Sequence, residues 1–141
     1  MDAVIVASIV GSVQGAFPGS STVPGHVGAI TLTGVDLSVQ LANGSRDFGP
    51  LTITKPMDAA SVRLLGAWDI GEQLAVTVTV VDPVTGGDLI RYALTGARVT
   101  AVSSWTDEST TAAGMERVSL AYNGLELTHV PSGSTQVVSV P

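Results

Sequence analysis

No cysteine occurs anywhere in the 141 residues. Disulfides, thiolate metal sites and cysteine nucleophiles are therefore excluded together. Charge is scarce as well: charged residues make up 13% of the chain, and only one cation is a lysine. Arg46, Lys55, Arg63, Arg91, Arg98 and Arg117 stand singly along a chain of formal net charge −6. Neutralising a phosphate backbone needs clustered cations, which excludes nucleic acid as a partner. Anionic membrane surfaces are disfavoured on the same ground. The opening run Ala-Val-Ile-Val-Ala-Ser-Ile-Val (3–10) is far too short to span a bilayer, and no membrane insertion is expected. Asp2 before it has the wrong sign for a signal peptide, so the run reads as a buried first strand.

Apolar residues, by contrast, make up 45% of the chain, and the mean hydropathy is +0.42. That composition excludes disorder. The length predicts one domain over 1–141, large enough to bury a core without staples. A domain of this size has limited interior, so such apolarity predicts that partners cover part of its surface.

Periodicity predicts strands almost throughout. β-branched residues occupy both faces of 3–13, as in a strand covered on both sides. Residues 14–27 are rich in Gly, Pro, Ser and Thr and read as a long loop. A strand region over 29–41 changes phase near Gly34, as a bulge or bend requires. Residues 43–48 read as a turn or short loop, and 51–55 as a brief strand that Pro56 ends. Asp58 is a good helix N-cap; Ala59, Val62 and Leu65 follow at spacing three, and Gly71 stops the helix. Regular alternation then runs over 74–81, 89–94 and 97–101, with a turn at 82–87. Residues 103–114 are polar and loop-like. The alternation of 118–122 reverses phase at Asn123-Gly124, a second bulge, and a short strand closes the chain at 136–140. Seven or eight strands with a single helix predict a mainly β fold, a barrel or a sandwich.

Signatures of catalysis are missing. There is no Gly-x-Ser-x-Gly, and Lys55 precedes Pro56, which rules out a phosphate-binding P-loop. A Ser-His-Asp triad needs only a meeting in space, which spacing does not decide. His26 and His129 have no ligand spacing around them and read as surface histidines. Asp107-Glu108 and the pair Asp82/Asp88 read as solvated turn residues. No catalytic, cofactor-binding or metal-binding residue is assigned, and no cofactor is expected.

Over 49–130 the motifs come in a set order. An extended stretch ends in a lysine and meets an acid-Ala-Ser helix start, here Leu-Thr-Ile-Thr-Lys-Pro-Met-Asp-Ala-Ala-Ser (51–61). The helix leads through Gly71-Glu72 into the alternating strand 74–80. Leu-Ile-Arg-Tyr-Ala-Leu (89–94) and Ala-Arg-Val-Thr-Ala-Val-Ser-Ser (97–104) read as the next two strands. Glu-Arg-Val-Ser-Leu-Ala-Tyr-Asn-Gly-Leu-Glu-Leu (116–127) reads as a final long strand with a change of phase. This order resembles that of the Hcp family, the tube-forming ring proteins of type VI secretion systems.

The resemblance implies a small antiparallel β-barrel with one α-helix at its side, closing into a homohexameric ring. It implies rings that stack into a tube, a contractile sheath and spike as partners, and small effector proteins in the lumen. Related tubes occur in phage tails and other contractile injection systems. It also implies a structural rather than enzymatic role. Such a protein is cytoplasmic before assembly and leaves through the machine without a signal peptide. A monomeric β-sandwich module for binding or adhesion is the competing reading. Its mark would be loops 14–27 and 103–114 clustered at one end.

Candidate contacts between subunits follow. Trp68 and Trp105 are large amphipathic anchors, with core packing as the alternative. Arg91, Arg98 and Arg117 point outward from alternating strands. Paired with Glu72, Glu116 or Glu126 they would fix ring register; unpaired, they are solvated edge charges. Thr77 and Thr79 lie on the flat face of 75–81, suited to an interface or to a second covering sheet.

Overall fold

The β-branched opening of the chain forms strand β1 (Val4–Gly11). The computed structural model describes residues 4–108 and 114–141; Ala3, the expected start of this strand, lies outside them. After β1 come β2 (Gly15–Ala16), β3 (Ile30–Leu32), β4 (Gly34–Ala42), β5 (Ser45–Pro56), helix α1 (Ala59–Ile70) and β6 (Leu74–Val81). The chain then continues through β7 (Asp88–Trp105), β8 (Met115–Ala121), β9 (Gly124–His129) and β10 (Ser134–Ser139). All strand pairings are antiparallel.

Two sheets share the long strand β7. Its first half pairs with β6 on one side and β9 on the other, and β6 continues to β1 while β9 continues to β10. Its second half pairs with β8, which continues to β5 and β4. The segment 30–42 joins the two sheets. Its first part pairs with β1 and its second with β5, and Thr33 at the bend donates its N–H to the Thr54 carbonyl. The circuit of pairings therefore returns on itself, as the barrel expectation required. Inside it, Ile9, Ile30, Leu51, Ile53, Val76 and Leu120 belong to one buried cluster. At roughly 1.5–3 kcal/mol for each large apolar side chain removed from water, that cluster is the main stabilising term.

Bends raise the strand count above the seven or eight expected. The phase change near Gly34 separates β3 from β4, and the one at Asn123-Gly124 separates β8 from β9. Opposite the second change, Gly96 takes a φ of 60° and a Cβ there would collide with the Asn123 side chain. Only glycine meets both conditions without strain.

Two expected loops are strands. Residues 45–48 extend β5, and the turn shrinks to Asn43-Gly44 with φ of 51° and 79°. Asn-Gly tolerates positive φ at both positions, which matches the twist of a tight hairpin. Ser103, Ser104 and Trp105 likewise pair with Arg117, Glu116 and Met115, because the long partner strand continues alongside them. The rest of the expected 103–114 loop includes 109–113, outside the described residues.

The 14–27 loop is largely irregular, as expected. It runs back along β1 to the start of β7, where His26 Nε2 meets Asp88 Oδ1 at 2.7 Å. Residues 103–105 close the far end of β7, opposite its start at Asp88, so the described part of that loop does not lie beside the His26 contact.

Candidate assembly interface

Helix α1 is fastened to the barrel at both ends. At its start, Lys55 on β5 lies directly opposite Glu116 on β8. Both side chains are fully buried, and Nζ lies 2.6 Å from Glu116 Oε1. The ammonium also donates to Asp58 Oδ1 at 2.7 Å and to the Pro56 carbonyl at 2.9 Å, so each of its three protons has an acceptor. Ser61 completes the group: its hydroxyl donates to Glu116 Oε1 at 2.6 Å and accepts from the Asp58 N–H at 2.9 Å. Asp58 Oδ1 in turn accepts from the Ala60 N–H. The helix cap and the buried ion pair thus form one network. Removing two charges from water costs several kcal/mol per ion, and only such complete pairing offsets it.

At the other end, Gly71 caps the helix in the left-handed conformation and Glu72 turns inward. Its carboxylate accepts from the Val13 N–H at 2.8 Å, the Gln14 N–H at 2.7 Å and Gln14 Nε2 at 2.7 Å. Gln14 Nε2 also donates to the Arg63 carbonyl, and Arg63 Nη1 to the Gln14 carbonyl. Burial pushes the Glu72 carboxyl up, but the hydrogen bonds from Gln14 and Val13, with Arg63 nearby, together hold it below its ordinary value.

Held this way, α1 buries Ala60, Ser61, Leu64 and Ala67. The apolar residues at spacing three that predicted the helix face outward instead. Val62 is 75% exposed, Leu65 54%, Trp68 51% and Ile70 57%. The helix is apolar on both faces, the pattern of one covered on both sides. Trp68 therefore stands on the surface. Trp105 is partly exposed, at 37%, with the Arg117 guanidinium 5.8 Å from its ring centroid.

The other candidates divide. Arg98 is exposed on β7 and Thr77 is half-buried on β6. Arg91 is half-exposed and bonded to Asp88 at 3.1 Å. The hydrogen bond from His26, opposed by burial and helped by Arg91, lowers the Asp88 carboxyl below its usual range. Thr79 is only 4% exposed, so no partner subunit reaches it. It shares a face with its register partner Val6, and the 14–27 loop pinned by His26 crosses that end of the sheet. Glu72 and Glu116 do not serve ring register either, since the backbone of 13–14 and Lys55 already occupy their carboxylates.

The sequence reading missed a second apolar surface. The β4–β5 hairpin and the β9–β10 hairpin flank a groove of about 360 Å³. Leu37, Val39, Leu41, Phe48, Leu127 and Val138 form its apolar wall, and Arg46, Asp47, Gln40 and Gln136 also line it. Its signal was the alternation of Leu37, Val39 and Leu41 continuing past the bend. Among the described residues no group of three or more potential metal ligands occurs, and no helix is long and apolar enough to cross a membrane.

Two expected outcomes follow from these fastenings. Lys55→Met or Glu116→Leu alone lowers stability in urea unfolding by about 3–5 kcal/mol, because each strands a buried charge. The double variant recovers most of that loss. Glu72 titrates lower in the folded chain than in the unfolded one. Its contribution is complete above the unfolded carboxyl value and is lost as pH falls through the folded one. Glu72→Gln therefore lowers stability at neutral pH and flattens the acid limb of a plot of unfolding free energy against pH.

Comparison with known proteins agrees with this architecture. A family model described as "Type VI secretion system effector, Hcp" matches residues 8–129. No curated protein matches the chain in sequence. Among solved structures, a crystal structure of an Hcp protein superposes with a TM-score of 0.86 at 21% identity, covering 98% of each chain. A variant of Hcp1 from E. coli EAEC 042 gives 0.86 at 17% identity, covering 96% of this chain and 97% of that one. The secreted protein Hcp3 from Pseudomonas aeruginosa gives 0.82 at 23% identity, covering 97% and 99%. At these identities the superpositions bear on the fold, whereas the family model reaches across most of the sequence. The chain belongs to the Hcp family, the tube proteins of type VI secretion systems.

Proposed function

We propose that this tube protein acts by assembly rather than catalysis, as a single 141-residue unit that closes head-to-tail into a homohexameric ring. The observation that carries the reading is the outward apolar face of α1. A helix fastened at both ends by buried charged groups still leaves Val62, Leu65, Trp68 and Ile70 in water. Patches of that kind mark interaction sites. A contact between two different patches of identical chains gives a ring when the rotation closes.

Trp68, Trp105, Arg91, Arg98, Arg117 and Thr77 are the proposed subunit contacts, with Thr79 removed by its burial. Rings of this kind stack into a tube inside a contractile sheath, beneath a spike, with effector proteins in the lumen. The protein is then cytoplasmic before assembly and leaves through the machine. The monomeric binding module is disfavoured because residues 103–105 lie at the far end of β7 from the His26 contact of loop 14–27. Light scattering at micromolar concentration is expected to give six times the 14.3 kDa chain mass, and negative-stain images to show rings. A sharp single-chain mass contradicts the proposal.

A further inference from the structure

The chain contains two asparagines, Asn43 and Asn123, and glycine follows each of them. Glycine has no side chain to shield its amide nitrogen and leaves the backbone free to turn. That nitrogen reaches the Cγ of the preceding asparagine wherever the fold lets the intervening backbone rotate. Local sequence is the same at both positions, so the fold decides between them. Exposure does not, since both asparagines are exposed.

Asn43 and Gly44 form the tip between β4 and β5, and Ser45 beside them is exposed as well. The space around the tip is open: a Cβ on Gly44 would meet nothing within 4 Å. The nearest restraint is the pairing of Ala42 with Ser45, the last of the β4–β5 ladder. Such ends open at a small part of the free energy of global unfolding.

Asn123 and Gly124 lie between strands instead. The Asn123 N–H donates to the Thr95 carbonyl, and the Asn123 carbonyl accepts from the Val140 N–H. Gly124 stands in register with Thr95 on β7 and with Ser139 on β10. A Cβ there would collide with Thr95 Oγ1. The peptide between 123 and 124 is held from two sides, and rotating it opens two ladders at once.

We propose that Asn43 is a site of spontaneous deamidation in the folded chain, while the fold protects Asn123. The Gly44 nitrogen attacks Asn43 Cγ. The new N–C bond forms as the Cγ–Nδ2 bond breaks, and ammonia leaves with the proton from the Gly44 nitrogen. Water then opens the resulting succinimide at either carbonyl. Opening at Cγ gives aspartate; opening at the main-chain carbonyl gives isoaspartate, which runs the main chain through one further carbon. Both products add one negative charge to a formal net of −6. Aspartate tolerates the positive φ of position 43 and keeps the turn. Isoaspartate lengthens it, and turn length sets hairpin register. The adjoining pair, Leu41 with Arg46, lines the groove, so the change reaches that wall.

The test follows full-length protein over time in mildly alkaline buffer, beside a sample unfolded in urea. Trypsin cleavage after Arg46 and Arg117 places the two asparagines on separate peptides, 1–46 and 118–141. Mass spectrometry reads the change from amide to acid on each, and a protein isoaspartyl methyltransferase reports the isoaspartyl product. In the folded chain, 1–46 is expected to convert about tenfold faster than 118–141 or more, as an opening confined to one turn requires. In urea the two rates converge. Asn43→Gly, which keeps positive φ accessible, removes the isoaspartyl signal from the folded protein. Equal rates in the folded chain, faster conversion at Asn123, or a signal that survives Asn43→Gly overturn the proposal. So does a folded Asn43 that stays intact while the urea sample converts.

Discussion

The ion pair between Lys55 and Glu116 is the constraint on which the rest of the structure depends. It joins β5 to β8 at the level where β5 ends and the helix begins. Through Asp58 and Ser61 the same two charges set the first turn of α1. A buried pair is a weak source of net stability, since desolvation cancels most of the attraction. Its value lies in specificity. An apolar contact at this place would let the helix slide or roll, whereas a lysine with three defined acceptors admits one arrangement. That arrangement turns Ser61 inward and Val62 and Leu65 outward.

The outward face follows from the inward one. On a helix, positions 60, 61, 64 and 67 share a side, and 62, 65 and 69 lie elsewhere. Once Ser61 must meet Glu116, the ridge has no choice of direction. Glu72 reinforces this from the far end, holding the β1 turn and the last helical turn together. Both clamps are internal to the chain, so the ridge is presented before any partner arrives. A preorganised surface loses little freedom on docking, which favours association. On the assembly proposed above, part of the apolar content behind the high mean hydropathy serves surfaces that other copies cover rather than the core.

Features set by local chemistry were legible in the sequence. Asp58 before an apolar run and Gly71 after it bounded the helix, and the bends near Gly34 and Asn123 showed as phase changes. Lys55, Asp58, Ser61 and Glu116 stood within the motifs that resemble the Hcp family. Their union did not show, because Lys55 and Glu116 are 61 positions apart and only strand pairing brings them together. The helix was predicted from Val62 and Leu65, residues that the barrel does not bury. Thr79 was placed at an interface because alternation reports a face and not what lies over it. The groove was invisible for the same reason: four separate strands contribute its walls.

The most direct test of the central claim follows Trp68 through assembly. With Trp105→Phe leaving one indole, emission is recorded together with the scattering mass over a dilution series. The account predicts a blue-shifted indole in the ring that moves to the red as the mass falls to that of one chain, because the ridge is covered only by another copy. A water-exposed emission that stays unchanged while rings persist would contradict it.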